Sequence, residues 1–428
     1  DQFDQDGDAI SIDNLKLDLS LDYSANWKDE LTSQIKRQLS EKIHPGIISL
    51  PGSVVIKSNR ESFEGILEYY LKFGFLPWNV APVNENDFKE RLVSWINQMT
   101  SSEIKKLELF LDDQRSLKRF ARILNQDDFE KMIRLVSGYK EETISHFYKN
   151  LHIILDFLTD DNFQKQRFLI EFNEKLLKHS FQKDPEGMFK IAFEEFISDI
   201  DLHHPYHLYR VEITAVKDHD MKMIVRQHQM NILAEYNRKK DAVQKVTEKE
   251  LVKDHDKKEW EEELKEGTFI SNAGAVIIAP FLPVLFSRTG ITAGNDILDE
   301  TAALALVQYC ISGQQIPEEY ELLLPKVLCG IPPDMVPEMI MPTSEQFTKE
   351  ADEMLKSIIE YWPVLKDTSI GGLRESFLQR NGKLSFSDDE WQLYVEQKSF
   401  DMLLGQIPWN IHLIRLPWMK NALRTHWN

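Results

Sequence analysis

The sequence predicts a mainly α fold: a multi-helix array with a small N-terminal β element and a C-terminal β-hairpin. Three observations carry this. Through most of the chain, apolar residues recur every three to four positions between capping residues, the pattern of amphipathic helices that bury one stripe each. Near the start, and again near residue 390, apolar and polar residues alternate with the two-residue period of a strand that has one wet face.

The first alternation is "AISIDNLKLDLSL" over residues 9–21, with Ile10 and Ile12, then Leu15, Leu17, Leu19 and Leu21 on one side. From Trp27 to Ile43, Leu31, Ile35, Leu39 and Ile43 recur at every fourth residue, as a helix requires, until "HPGIISLPG" breaks it. "LEYYLKFGFLPW", residues 67–78, is a further helix-like run that ends on Leu76, Pro77 and Trp78.

Short capped helices follow to about residue 209. "TSSEIKKLELFL" places Thr and Ser ahead of a Glu, "NQDDFEKMIRLVSG" opens on Asn and closes on Gly138, and "DPEGMFKIAFEEFI" sets Asp184 before Pro185. Their stripes have only one another to pack against, so an all-helical array is expected. Between Asn237 and Glu266, 19 of 30 residues are charged, nearly balanced in sign. Such a stretch buries little and reads as a solvated helix or connector.

Beyond Gly267 the expected elements are two short buried helices meeting at Pro280 and Pro283, then helices over 296–311, 318–328 and 344–361. The last has Phe347, Ala351, Leu355, Ile358, Ile359 and Trp362 on one face, with Thr343 and Gln346 placed as a capping box. Asn381 and Gly382 end the helix after it, and "KLSFSDDEWQLYVEQ" alternates on both sides of Asp388 and Asp389 as a hairpin does. Four regions result: a β/α module over 1–80, a helical region over 81–210, a charged helical connector over 211–267, and a mainly helical module with the hairpin over 268–428.

Composition narrows the function. Seventy acidic against 51 basic residues give a net charge of -19, which opposes a phosphate backbone, so nucleic acid is not an expected partner and an electropositive protein surface is. The uncharged stretch from Gly267 to Ser287 has the length of a membrane span, but Pro280, Pro283 and Asn272 interrupt it, so no stable span is expected. Cys310 and Cys329 are too few for a disulfide framework and read as small buried hydrophobes in a reducing compartment. The opening "DQFDQDGDAIS" has neither a basic start nor an apolar core nor an initiator Met, so sequence upstream is expected.

His203, His204 and His207 would supply a metal-dependent hydrolase, but Pro205 disfavours the helix that this spacing needs. "KDHD" at 217–220 and 253–256 lies in charged surroundings without an apolar wall, and "DQDGD" at 4–8 lacks the glycine and the twelfth-position Glu of a calcium loop. No phosphate loop or nucleophile elbow is present. No cofactor, metal or catalytic residue is therefore expected. What remains is the Leu/Ile-Pro-Trp ending, repeated as Pro408 with Trp409 and as Pro417 with Trp418. With Leu76, Pro77, Trp78, Pro280, Pro283 and Trp362, these are the candidate packing or docking residues.

On the strings "IDNLKLDLS", "LEYYLKFGFLPW", "FISNAGAVIIAPFLPVLF", "YELLLPKVLCGIP", "IIEYWPVLKDTSIGGLRESFLQRNGKL" and "FDMLLGQIPWNIHLIRLPWM", the chain resembles the tape measure proteins of contractile injection systems. These are phage-tail-like particles that drive a rigid tube into a target. The resemblance implies a structural protein, not an enzyme, that lies in the lumen of the growing inner tube and sets its length. It implies inner-tube, baseplate and cap proteins as partners, homo-oligomers within the lumen, and a place in the cytoplasm during assembly and in the particle afterwards. The middle, about 81–267, carries no string of the family and is broken by Pro185 and Pro205; fully helical and extended, its roughly 190 residues would reach on the order of 280 Å. The alternative is a baseplate or cap adaptor of the same particle.

Overall fold

The fold is mainly α with one mixed sheet. A computed structural model describes residues 8–12, 34, 37, 54–77, 85–181, 187–203, 208, 211–239, 259–314, 317–337, 344–365 and 368–427. The chain divides into two compact units, Asp1–Ile66 and Leu67–Asn428. In the first, strand β1 (Asp8–Ile12) pairs antiparallel with β2 (Val54–Ser58), from Asp8 opposite Ser58 to Ile12 opposite Val54. The first alternation forms a strand over its opening residues, and Gln34 and Arg37 are helical inside the expected 27–43 helix. The other residues between 13 and 53 lie outside the described set. Helix α1 (Asn59–Phe73) carries the chain across the division.

In the second unit, helices α2 (Glu85–Asn97), α3 (Ser101–Phe110), α4 (Gln114–Ile123), α5 (Gln126–Ser137), α6 (Glu141–Leu158), α7 (Asn162–Ser180), α8 (Met188–His203) and α9 (His219–Lys239) fold back on one another. The α7 helix is the hub: α4, α5, α6 and α8 all pack on it, and α9 packs on α8. Its buried Phe168, Phe172, Leu176 and Leu177 explain why, since one long apolar stripe buries more area than any shorter helix offers. Phe147 stacks on Phe172 and on Phe189, at 5.3 Å and 4.5 Å between centroids.

Two of the predicted caps form, and Asp184 lies outside the described residues. Thr100 and Glu103 make a reciprocal capping box at the start of α3, and Asn125 caps α5, which ends on Gly138 in the left-handed conformation. Pro185 and Pro205 lie outside the described residues.

The remainder of this unit is built around a five-stranded sheet of order β3-β6-β7-β9-β8. Its strands are β3 (Thr268–Ile270), β6 (Gly382–Ser387), β7 (Glu390–Val395), β8 (Leu413–Ile414) and β9 (Leu423–His426); β7 and β9 run parallel and the other pairs antiparallel. The predicted hairpin is the β6–β7 pair. Its turn residues Asp388 and Asp389 both have positive φ, 53° and 57°, the backbone that a two-residue hairpin with right-handed twist requires.

Several expected elements differ. Residues 268–289 begin with β3 and continue as 3₁₀ turns Ala273–Ile277 and Ala279–Phe281 before helix α11 (Leu282–Thr289), where two helices were expected. The proline sites still act as predicted, each at the first turn of the element that it opens, where no backbone donor is missed. The helix expected from Asp296 starts later, as α12 (Glu300–Ser312), because strand β5 (Asp296–Ile297) pairs with β4 (Thr292–Ala293) and Asp299 caps the helix.

The expected 318–328 helix is a 3₁₀ turn, Glu319–Glu321, followed by α13 (Leu323–Leu328). Ser344, not Thr343, caps α14 (Glu345–Tyr361), its side chain accepting from the Phe347 amide. Gly382 opens β6 instead of closing a helix, because a Cβ there would meet Ala273 at 2.6 Å and the Tyr394 carbonyl at 2.8 Å.

The helix α10 (Glu259–Glu263) and Leu264 also depart from the solvated connector: Trp260 is buried and stacks on Trp391 at 5.6 Å and 5°. Among the described residues, no helix is long and apolar enough to cross a membrane.

Candidate functional site

The proline–tryptophan endings meet on one stretch of chain, residues 268–286. Trp409 donates its indole N–H to the Ile277 carbonyl at 3.1 Å and meets Phe281 edge-on at 5.0 Å. Nine residues later, Trp418 donates to the Leu328 carbonyl at 2.8 Å and stacks on Phe286 at 5.2 Å and 25°. An indole that buries its ring and spends its one donor on a backbone carbonyl fixes both position and orientation.

Trp362 is fully buried in the same core. It donates to the Leu403 carbonyl at 3.2 Å, packs on Phe377 at 4.8 Å and approaches Trp409 at 6.4 Å. Pro408 and Pro417 stand exposed beside their tryptophans. Pro280 is exposed and Pro283 half-buried.

The N-terminal copy reaches the same place through its backbone. Leu76 accepts a hydrogen bond from Thr268 Oγ1 at 2.6 Å, and Phe73 and Phe75 belong to the core that contains Ile277 and Phe286. Leu76 and Pro77 are half-buried; Trp78 lies outside the described residues. The chain therefore leaves this core just after Phe75 and re-enters it at Trp260. Exit and entry are pinned together by the Lys72–Glu259 ion pair at 2.8 Å. Beside it, burial and the Glu263 carboxylate push the Tyr69 phenol well above its ordinary range.

Two buried polar clusters were not singled out by the sequence. Arg380 is fully buried between Phe377, Phe400 and Trp427, and it donates to Asp401 at 2.9 Å, while Trp427 donates to the same carboxylate at 2.9 Å. Arg119, on α4, shares Glu319 with Lys326, each nitrogen 3.1 Å from Glu319 Oε1. A helix that carries Arg115, Arg119 and Arg122 at four- and three-residue spacing on a face with buried Ser116 and Phe120 is the signal that would have found the second cluster.

The chemistry candidates take structural places. Asp218 of the first "KDHD" caps α9, accepting from the Met221 amide at 3.0 Å, and Asn150 Oδ1 accepts from the Lys217 and Asp218 amides. Residues 253–256 lie outside the described set. His203 ends α8, and His204 and His207 are not described. Both cysteines are free and buried; burial pushes the Cys310 thiol up to about 12 and the Cys329 thiol higher still. Among the described residues, no group of three or more His, Cys, Asp or Glu side chains is placed to hold a metal ion.

No curated protein and no solved structure matches the chain. A family model, that of the contractile injection system tape measure protein, matches residues 1–427. The match spans the described unit in which the repeated endings converge, together with the helices between them, and the chain belongs to the contractile injection system tape measure protein family.

Proposed function

We propose that the chain sets the length to which the inner tube of a phage-tail-like contractile injection particle assembles. In this reading the core gathered on residues 268–286 is the fixed part, docking on tube, baseplate or cap proteins through the residues around Pro408, Trp409, Pro417 and Trp418. The residues between Phe75 and Glu259 are the adjustable part. The observation that carries this is the closure of one apolar core across that gap: Phe73, Phe75 and Trp260 belong to the same core, and Lys72 pairs with Glu259. Material held between two pinned points can lengthen or shorten without disturbing the core that holds it.

This geometry changes the arithmetic of a ruler. If both ends of the insert stay on one core, an extended insert doubles back, and each added helical residue contributes half of its ~1.5 Å rise to reach. Inserting about 36 helical residues between 240 and 258 then lengthens the particle by ~27 Å, against ~54 Å if the pins open and the chain runs single file. Electron microscopy of particle lengths distinguishes the two. Unchanged lengths overturn the reading and leave an adaptor of the baseplate or cap, the alternative supported by the way α2 to α9 pack on one another into bulk instead of reach.

A further inference from the structure

The helical insert and the core that holds it are joined by a seam rich in charge. None of the described residues from 85 to 239 belongs to the apolar core that contains Trp260, Trp362 and Phe286. An aromatic contact crosses the seam where Phe88 meets Tyr70 and Tyr320 at 5.3 Å and 5.9 Å. Polar pairs cross it as well. Arg115 pairs with Asp334 at 2.8 Å, Arg122 donates to the Pro337 carbonyl, and Lys89 pairs with Glu318.

At its centre lie three charges with almost no access to water. The Arg119 and Lys326 side chains are 0% and 1% exposed, and Glu319 between them is 10% exposed. One carboxylate serves two cations. Backbone carbonyls take up further donors: Leu71 and Lys72 at 2.7 Å and 2.8 Å from Arg119 Nη1, Asp334 at 2.7 Å from Nη2, and Pro333 at 2.9 Å from Lys326 Nζ. The first two stand at the C-terminal end of α1, whose dipole favours a cation.

Gly74, with φ at +80°, makes the room, since a Cβ there would run into Glu319 and Arg119. The site is built at a cost: burial, ahead of the attraction of Glu319, holds the Lys326 ammonium below its ordinary range. Buried charges held this way fix a geometry, and removing one partner leaves the others uncompensated.

We propose that Arg119, Glu319 and Lys326 form a releasable latch that closes the helical insert onto the core module, with Glu319 as the keystone. Without the Glu319 charge, two buried cations face each other uncompensated and the seam opens, while each side keeps its own apolar core. The inference concerns the chain alone and stands or falls apart from the length-setting reading.

Hydrogen–deuterium exchange on the full chain tests it, comparing the seam peptides 114–123, 318–322 and 332–337 with strands β6 and β7. In Glu319→Gln the seam amides exchange roughly tenfold faster or more, the scale of a lost charge-assisted hydrogen bond, and β6 and β7 are unchanged. In the triple variant Arg119→Met, Glu319→Leu, Lys326→Met, apolar packing replaces the charges and the seam exchanges no faster than in the wild type. A Glu319→Gln seam that exchanges at the wild-type rate, acceleration of β6 and β7 in parallel with it, or an open seam in the triple variant each overturns the proposal.

Discussion

Trp418 puts most of its ring against Phe286 and its only donor on the Leu328 carbonyl, so truncation removes both apolar area and a hydrogen-bond partner. Large aromatic-to-alanine changes at packed sites cost about 3–5 kcal/mol, and a carbonyl left unpaired adds to that. Trp418 remains partly exposed, so the low end applies: Trp418→Ala is expected to cost ~3 kcal/mol, read from urea or guanidinium unfolding followed by near-ultraviolet signals. A variant as stable as the wild type that no longer assembles into particles would instead make the residue a docking anchor. Trp409 was legible through the repeated Pro-Trp ending, and Trp362 through its place on the apolar face of the 344–361 helix. Arg119, Glu319 and Lys326 were not, because each reads alone as a surface charge and Arg119, on α4, meets Glu319 only across 200 residues of chain.

Among the elements, local chemistry decided what could be read in advance. The Thr100–Glu103 box, the Asn125 and Gly138 ends of α5 and the Asp388–Asp389 turn each act within a few residues, so spacing reveals them. Strands β3, β8 and β9 hold two to four residues each and exist only because a distant strand supplies their hydrogen bonds, so no periodicity announces them. The 3₁₀ turn Ala273–Ile277 shows the same limit. It looked like part of a buried helix, but Gly274 lies where a Cβ would overlap the Phe377 carbonyl, and that contact holds the turn against the π-helical residues Arg374–Leu378. Gly274→Ala must push two backbones apart, and overpacking of a tight core costs about 1–3 kcal/mol or more. The variant is expected to lower the melting midpoint by several degrees while the α2–α9 helices keep their far-ultraviolet signal.

Over the whole described unit, the last strand decides when the core module can close. Strand β9 lies between β7 and β8, parallel to the former, with Trp391 opposite Leu423. Behind it, Trp427 covers Arg380 and donates to Asp401. A chain lacking residues 422–428 loses an interior strand, detaches β8, and exposes one side of a buried cation that Asp401 alone must then satisfy. Breaking such an enclosure costs about 3–5 kcal/mol, comparable to the total stability of many domains. The helices from α2 to α9 have their own core around Phe172, so they are expected to survive. Truncation after Asn421 therefore predicts a chain with most of its far-ultraviolet helical signal, no cooperative near-ultraviolet tryptophan transition, and rapid proteolysis within 259–421. Because β9 follows the whole insert in chain order, the core that holds the insert near Lys72 and Glu259 closes only after that insert has been synthesised. A truncated chain with an intact tryptophan transition would mean that β7 closes the module without its parallel neighbour.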